Sequence, residues 1–132
     1  MTREGNTIEL KGPAIGLKED VMGLVAERCE ACHPDALRLT EQEIAGLSPQ
    51  IPEWKIVERE GIPRLERDFQ FPDFAEALAF TNRVAEKAEQ AGHHPDILTK
   101  WGMVNVAWWS HKIKGLHRSD FIMAAKTDAL YW

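Results

Sequence analysis

Leu65-Glu66-Arg67-Asp68-Phe69-Gln70-Phe71, followed at once by Pro72-Asp73-Phe74-Ala75-Glu76, is the stretch that decides the fold. The first seven residues have a period of two: Leu65, Arg67, Phe69 and Phe71 share one face, and Glu66, Asp68 and Gln70 take the other. A half-buried strand alternates in this way because successive side chains point to opposite faces of a sheet. The next residues change the period. Asp73 stands as a helix cap with Glu76 three residues on, and Phe74, Ala77, Leu78, Thr81, Val84, Ala85 and Ala88 then fall on one stripe. Gly92 supplies the left-handed residue that ends such a helix. A one-sided strand running into a one-sided helix predicts a helix laid on a sheet.

The pattern extends in both directions. Upstream, residues 54–58 read as a second strand, joined to the first around Gly61-Ile62-Pro63. Before it, Thr40-Glu41-Gln42-Glu43 is a capping box ahead of Ile44 and Leu47, and Ser48-Pro49 stops that helix. Downstream, residues 97–101 and 103–109 form a second hairpin turning near Gly102. A last helix is expected from about Ser119, packed by Phe121, Ile122, Ala125 and Leu130. The order is α-β-β-α-β-β-α. Short links make both strand pairs antiparallel, so the chain from 39 to 132 is expected to be an α+β two-layer domain. It has a four-stranded antiparallel sheet with helices on one face.

Composition narrows the function classes. At 132 residues and 44% hydrophobic, the chain can bury one core. A net charge of −5 argues against nucleic acid as the main partner, since phosphate binding wants a basic face. No apolar run is long enough to span a bilayer, and no export signal is visible. With two cysteines besides, a disulfide framework is not expected and a cytoplasmic address is the default. Four of the five tryptophans (Trp54, Trp101, Trp108 and Trp109) fall in the predicted sheet, which implies a large aromatic surface within or between subunits.

Residues 1–38 read as a partly flexible extension, with a short helix over 20–27. It contains Cys29-Glu30-Ala31-Cys32-His33, the spacing used to attach c-type haem. Haem attachment needs an exported chain and an axial partner, and zinc needs a second Cys/His pair; neither is indicated. A redox dithiol would sit at a strand-to-helix junction, which the flanking sequence does not offer. A local turn is the reading favoured here.

The chemistry-bearing residues lie elsewhere. Glu89, His93, His94 and Pro95 cluster at the main helix's end; Trp101, His111 and Asp120 follow. Singly, each histidine is as well explained as a helix or strand cap. Together they are different, because the main helix's end and the last strand's end must share one edge of the domain for the hairpin to connect. His93, His94 and His111 are then expected at one rim, with Glu89 one turn before His93 and bonded to it. A three-histidine metal site is an alternative, but adjacent histidines point in different directions and do not easily share one ion. No nucleophile elbow and no phosphate loop is present. Imidazole, with an ordinary pKa of about 6.5, both gives and takes protons at neutral pH, so a small proton-shuttling reaction such as dehydration or tautomerisation suits these residues best.

The run Glu89-x-x-x-His93-His94-Pro95, then Trp101, His111 and Asp120, resembles the signature of the pterin-4a-carbinolamine dehydratases. The likeness extends from about Leu39 to Ala129, with Trp54 and the Phe69-x-Phe71-x-Asp73-Phe74 entry to the main helix. The resemblance implies removal of water from a 4a-hydroxytetrahydropterin to give the quinonoid dihydropterin, recycling the cofactor of aromatic amino acid hydroxylases. It implies His93 and His111 as acid–base groups, His94 as a pterin-positioning residue, and Glu89, Trp54 and Asp120 lining the site. It also implies a homodimer or homotetramer, no metal, and no cofactor, because the pterin is the substrate. The same likeness admits a non-catalytic role, as a dimerisation or assembly partner. His117 stands where that family often has Ser or Thr; it is expected to be a poor cap on the last helix and otherwise a surface residue.

Overall fold

The computed structural model of the chain describes residues 24–26 and 38–131. Helix α1 spans Glu41–Leu47, and its capping box forms as expected: Glu43 N donates to Thr40 Oγ1 at 3.1 Å, and Thr40 N to Glu43 Oε1 at 2.8 Å. Pro49 follows in a single 3-10 turn, Ser48–Gln50, which delivers Ile51 into the core.

Strands β1, Lys55–Arg59, and β2, Ile62–Gln70, pair antiparallel from Arg59 opposite Ile62 onward. The hairpin is tighter than the Gly61-Ile62-Pro63 link implied. Glu60 and Gly61 have φ of 55° and 79°, so they alone make the turn, and two positive-φ residues match the twist of paired strands. Pro63 therefore falls inside β2. It is tolerated because β2 meets its other neighbour only from Leu65 onward, so the Pro63 nitrogen faces no ladder partner there.

Helix α2 spans Phe74–Ala91, with Asp73 accepting from Glu76 N at 2.9 Å. Its buried stripe is Ala77, Phe80, Val84 and Ala88. Phe74 and Leu78, expected on that stripe, are instead 45% and 44% exposed. The helix is rolled so that Phe80 enters the core against Phe69 (4.7 Å) and Phe71 (5.1 Å), while Thr81 meets Thr99 at 2.7 Å.

Strands β3, Asp96–Lys100, and β4, Met103–Trp108, complete the sheet, and α3 spans Arg118–Ala129. The strand order is β1-β2-β4-β3, every pair antiparallel. Residues Leu65, Phe69, Val104, Val106 and Trp108 form the covered face, where α2 and α3 pack. The α+β two-layer architecture is thus as expected. Trp101 is not in the sheet: it sits at the β3–β4 turn, 69% exposed.

Two findings lie at the domain's margins. Leu24 is 1% exposed within the core, and Lys126 Nζ of α3 donates to Val25 O at 2.6 Å. This part of the presumed extension packs on the domain. The Cys29–His33 motif lies outside the described residues.

Candidate active site

The sheet register brings two of the predicted segments together. Asp96, which opens β3 just after His93-His94-Pro95, lies opposite Ala107 near the end of β4, and His111 lies four residues on. His93 and His111 therefore belong to neighbouring segments at one end of the sheet.

His93 is held from inside. Its Nε2 lies 2.7 Å from Asp120 Oδ1, and Asp120, in the first turn of α3, has no exposed surface. The other oxygen, Asp120 Oδ2, accepts from Ser110 Oγ at 2.8 Å and from His117 N at 2.9 Å. A buried carboxylate is tolerable when its lone pairs are filled in this way. The His93 ring also rests against Trp108, 5.4 Å between centroids, and Trp108 Nε1 is tied to Thr127 Oγ1 at 3.0 Å. At 5% exposure His93 is not the open rim residue the sequence suggested.

His94 takes the outward position. Its Nε2 lies 2.7 Å from Glu89 Oε1, so Glu89 pairs with His94 and not with His93. Gly92 is the reason. Its φ of 68° ends the helix after Ala91, turning His93 inward and swinging His94 back over the last turn. The side chains of His94 and Glu89 are 61% and 80% exposed, so the pair is loosely held.

His111 sits in the turn after β4, exposed, its ring stacked on Trp109 at 4.4 Å and 15°. Consecutive strand residues face opposite ways. Trp108 therefore backs His93 from the covered face while Trp109 backs His111 from the uncovered one. Ser110 and Gly115 close the turn with reciprocal backbone bonds of 2.9 and 3.4 Å.

His117 is not a bystander. It caps α3, its Nδ1 accepting from Ser119 N at 3.1 Å while Asp120 Oδ2 accepts from His117 N. The imidazole and carboxylate reproduce a capping box, so the expected poor cap is corrected.

Trp54 is not brought to the histidines. Its Nε1 donates to Asp128 Oδ1 at 2.8 Å, beside Arg67 Nη1 at 2.7 Å, and its ring meets Phe69 edge-on at 5.9 Å. Asp128 lies two turns of α3 beyond Asp120, roughly 12 Å along the axis at the usual helical rise. Burial pushes the Asp128 carboxyl above its ordinary range, against the pull of Trp54 and Arg67. A concavity of about 390 Å³ that includes Lys55, Glu66, Asp68 and Asn105 in its lining contains none of the predicted site residues.

Among the described residues, no group of three His, Cys, Asp or Glu converges in a metal-holding arrangement, and no helix is long and apolar enough to cross a membrane. Residues the sequence reading passed over are Ser110 and Trp109, with Arg64 beneath Trp109. The Trp108-Trp109 pair was a usable signal, since strand alternation puts one indole on each face, next to each histidine-bearing segment.

A family model for pterin 4 alpha carbinolamine dehydratase matches residues 37–130. Among curated relatives, a Gloeobacter violaceus protein provisionally named pterin-4-alpha-carbinolamine dehydratase 1 is 63% identical over 109 residues, 83% of this chain and 94% of its own. A Nitrosococcus oceani protein with the same provisional activity name is 61% identical over 103 residues, 78% of this chain and 91% of its own. Among solved structures, a Brucella melitensis protein described as a transcriptional coactivator/pterin dehydratase superposes with a TM-score of 0.66 at 32% identity, covering 72% of this chain and 99% of that one. A pterin dehydratase-like protein identified as a RuBisCO assembly factor in the alpha-carboxysome gives a TM-score of 0.51 at 26% identity, over 59% of this chain and 88% of that one. With the match spanning the sheet, helices α1, α2 and α3 and both histidine-bearing segments, the chain belongs to the pterin 4 alpha carbinolamine dehydratase family.

Proposed function

We propose that the chain is a hydro-lyase that removes water from a 4a-hydroxytetrahydropterin. The observation that carries this reading is the buried Asp120 carboxylate, which fixes His93 on one oxygen and, through Ser110, the strand end next to His111 on the other. Asp120 occupies His93 Nε2, leaving Nδ1 as the nitrogen for proton transfer, and a carboxylate partner stabilises the imidazolium when it forms.

In the reaction the N5 lone pair forms the C4a=N5 double bond as the C4a–O bond breaks. One imidazole protonates the departing hydroxyl, which leaves as water, and the other takes the N5 proton. The products are the quinonoid dihydropterin and water, with no change in oxidation state. His93 and His111 are the acid–base pair, and His94, steered by Glu89, contacts the pterin ring. Asp120 acts through His93 rather than on substrate, since it has no exposed surface. Trp54, tied to Asp128, supports the domain at a distance from the chemistry.

Aromatic amino acid hydroxylases generate this carbinolamine, so such an enzyme is the functional partner and the cytoplasm the setting. A homodimer or homotetramer would cover the apolar side chains of Phe74, Leu78 and Leu98, all exposed in the single chain. A second reading, binding without turnover, draws support from the RuBisCO assembly factor likeness. The two separate in one assay: purified chain is mixed with enzymatically generated 4a-hydroxytetrahydropterin and its loss is followed against the spontaneous rate. Acceleration supports the hydro-lyase; the spontaneous rate supports the binding role.

A further inference from the structure

We infer that Trp109 and Arg64 are positioning residues that hold the His111 imidazole; the inference rests on the dehydratase reading for its consequence, though not for its geometry. His111 is exposed on a turn, where an imidazole ordinarily samples several rotamers. Here it lies nearly parallel to the Trp109 indole, 15° between planes and 4.4 Å between centroids. Trp109 is itself fixed. It is 8% exposed, and the Arg64 guanidinium carbon lies 4.0 Å from its ring centroid. A cation at that distance is drawn to the negative face of the indole.

Arg64 also reaches the other histidine-bearing segment. Its Nη1 lies 3.6 Å from Asp96 Oδ2, and Asp96 is two residues after His94. Arg64, a β2 residue whose side chain is 14% exposed, thus spans from the support of His111 to the start of β3. Its Nε is buried without a hydrogen-bond partner, a cost that a plain surface arginine would not carry. Asp120 and Ser110 link the two segments from the covered side, and Arg64 with Trp109 links them from the uncovered side. Lysine would be a poorer substitute for Arg64, because a planar guanidinium can stack on an indole face and a compact ammonium cannot.

The test uses the full chain and pairs a spectroscopic readout with turnover. An imidazole over an indole has its Hε1 resonance shifted upfield; the His111 line is identified by its loss in His111→Gln. Trp109→Leu should move that line downfield and lower kcat about tenfold with KM within about twofold, the pattern of a mispositioned group. Trp109→Phe, which keeps a ring face, should restore most of both, and Arg64→Met should show part of each loss. An unmoved line in folded Trp109→Leu overturns the stack, and a moved line with unchanged kcat overturns its role in turnover. If Trp109→Leu does not fold, the same two criteria apply to Arg64→Met. Absence of turnover in the wild type would count against the dehydratase reading, while the line position still decides the stack.

Discussion

His93 Nε2 and Asp120 Oδ1 lie 2.7 Å apart, and neither side chain is more than 5% exposed. A histidine so enclosed has one orientation, which is useful for proton transfer and costly to disturb. Replacing Asp120 with Asn keeps the shape but loses the charge. Asp120→Asn is expected to lower kcat about a hundredfold, the scale of a lost general acid–base contribution, and to destabilise by about 1–3 kcal/mol. Steady-state rates and urea unfolding of one preparation check both.

The two neighbouring histidines should separate cleanly in stability. His93→Ala strands the buried Asp120 oxygen and is expected to cost about 1–3 kcal/mol. His94→Ala breaks an exposed pair with Glu89 and is expected to stay within about 0.5 kcal/mol of wild type. The sequence suggested an open pocket-rim position for His93, where replacement would change stability little; its burial reverses that. Equal midpoints and slopes in urea would contradict the structural assignment.

The pH dependence of stability has two opposed contributions. The Arg59 hydrogen bond holds Glu66 below its ordinary value of 4.5. The unfolded chain therefore binds its proton more readily, so this stability is present above about that pH and is lost as pH falls through the folded value. Asp128 is raised above 3.8 by burial, so its native state binds the proton more tightly. Its contribution is complete at pH values below that and is lost as pH rises through the folded value. Glu66→Gln should flatten the acid-side fall in stability, and Asp128→Asn should flatten the opposing slope, both read from urea midpoints between pH 3 and 7.

Leu24→Ala should destabilise the domain by about 2–5 kcal/mol, as for any well-packed core leucine. Thermal unfolding of the full chain measures it. A neutral result would mean that residues 24–26 do not pack on α3.

Much of this molecule was legible from the chain because its signals are local. The Thr40 and Asp73 caps, the period-two run over 65–71 and the Gly92 stop each act within a few residues. What escaped depended on distance or on a change of direction. The Glu89 pairing was assigned to His93 by counting one helical turn, and the positive φ of Gly92 spoils that count. His117 looked like a poor cap because its usefulness depends on Asp120 completing the box. Leu24, Trp54 with Asp128, and Arg64 under Trp109 are tertiary contacts, and no local pattern announces them. The histidines themselves were visible; which of them is buried was not.

The most direct measurement is the initial rate of 4a-hydroxytetrahydropterin dehydration by the wild type and by the His93→Ala/His111→Ala double variant, each shown to be folded at the assay temperature. Clear acceleration by the wild type and a loss of at least about a hundredfold in the double variant are expected. Near-normal turnover without both imidazoles would contradict it.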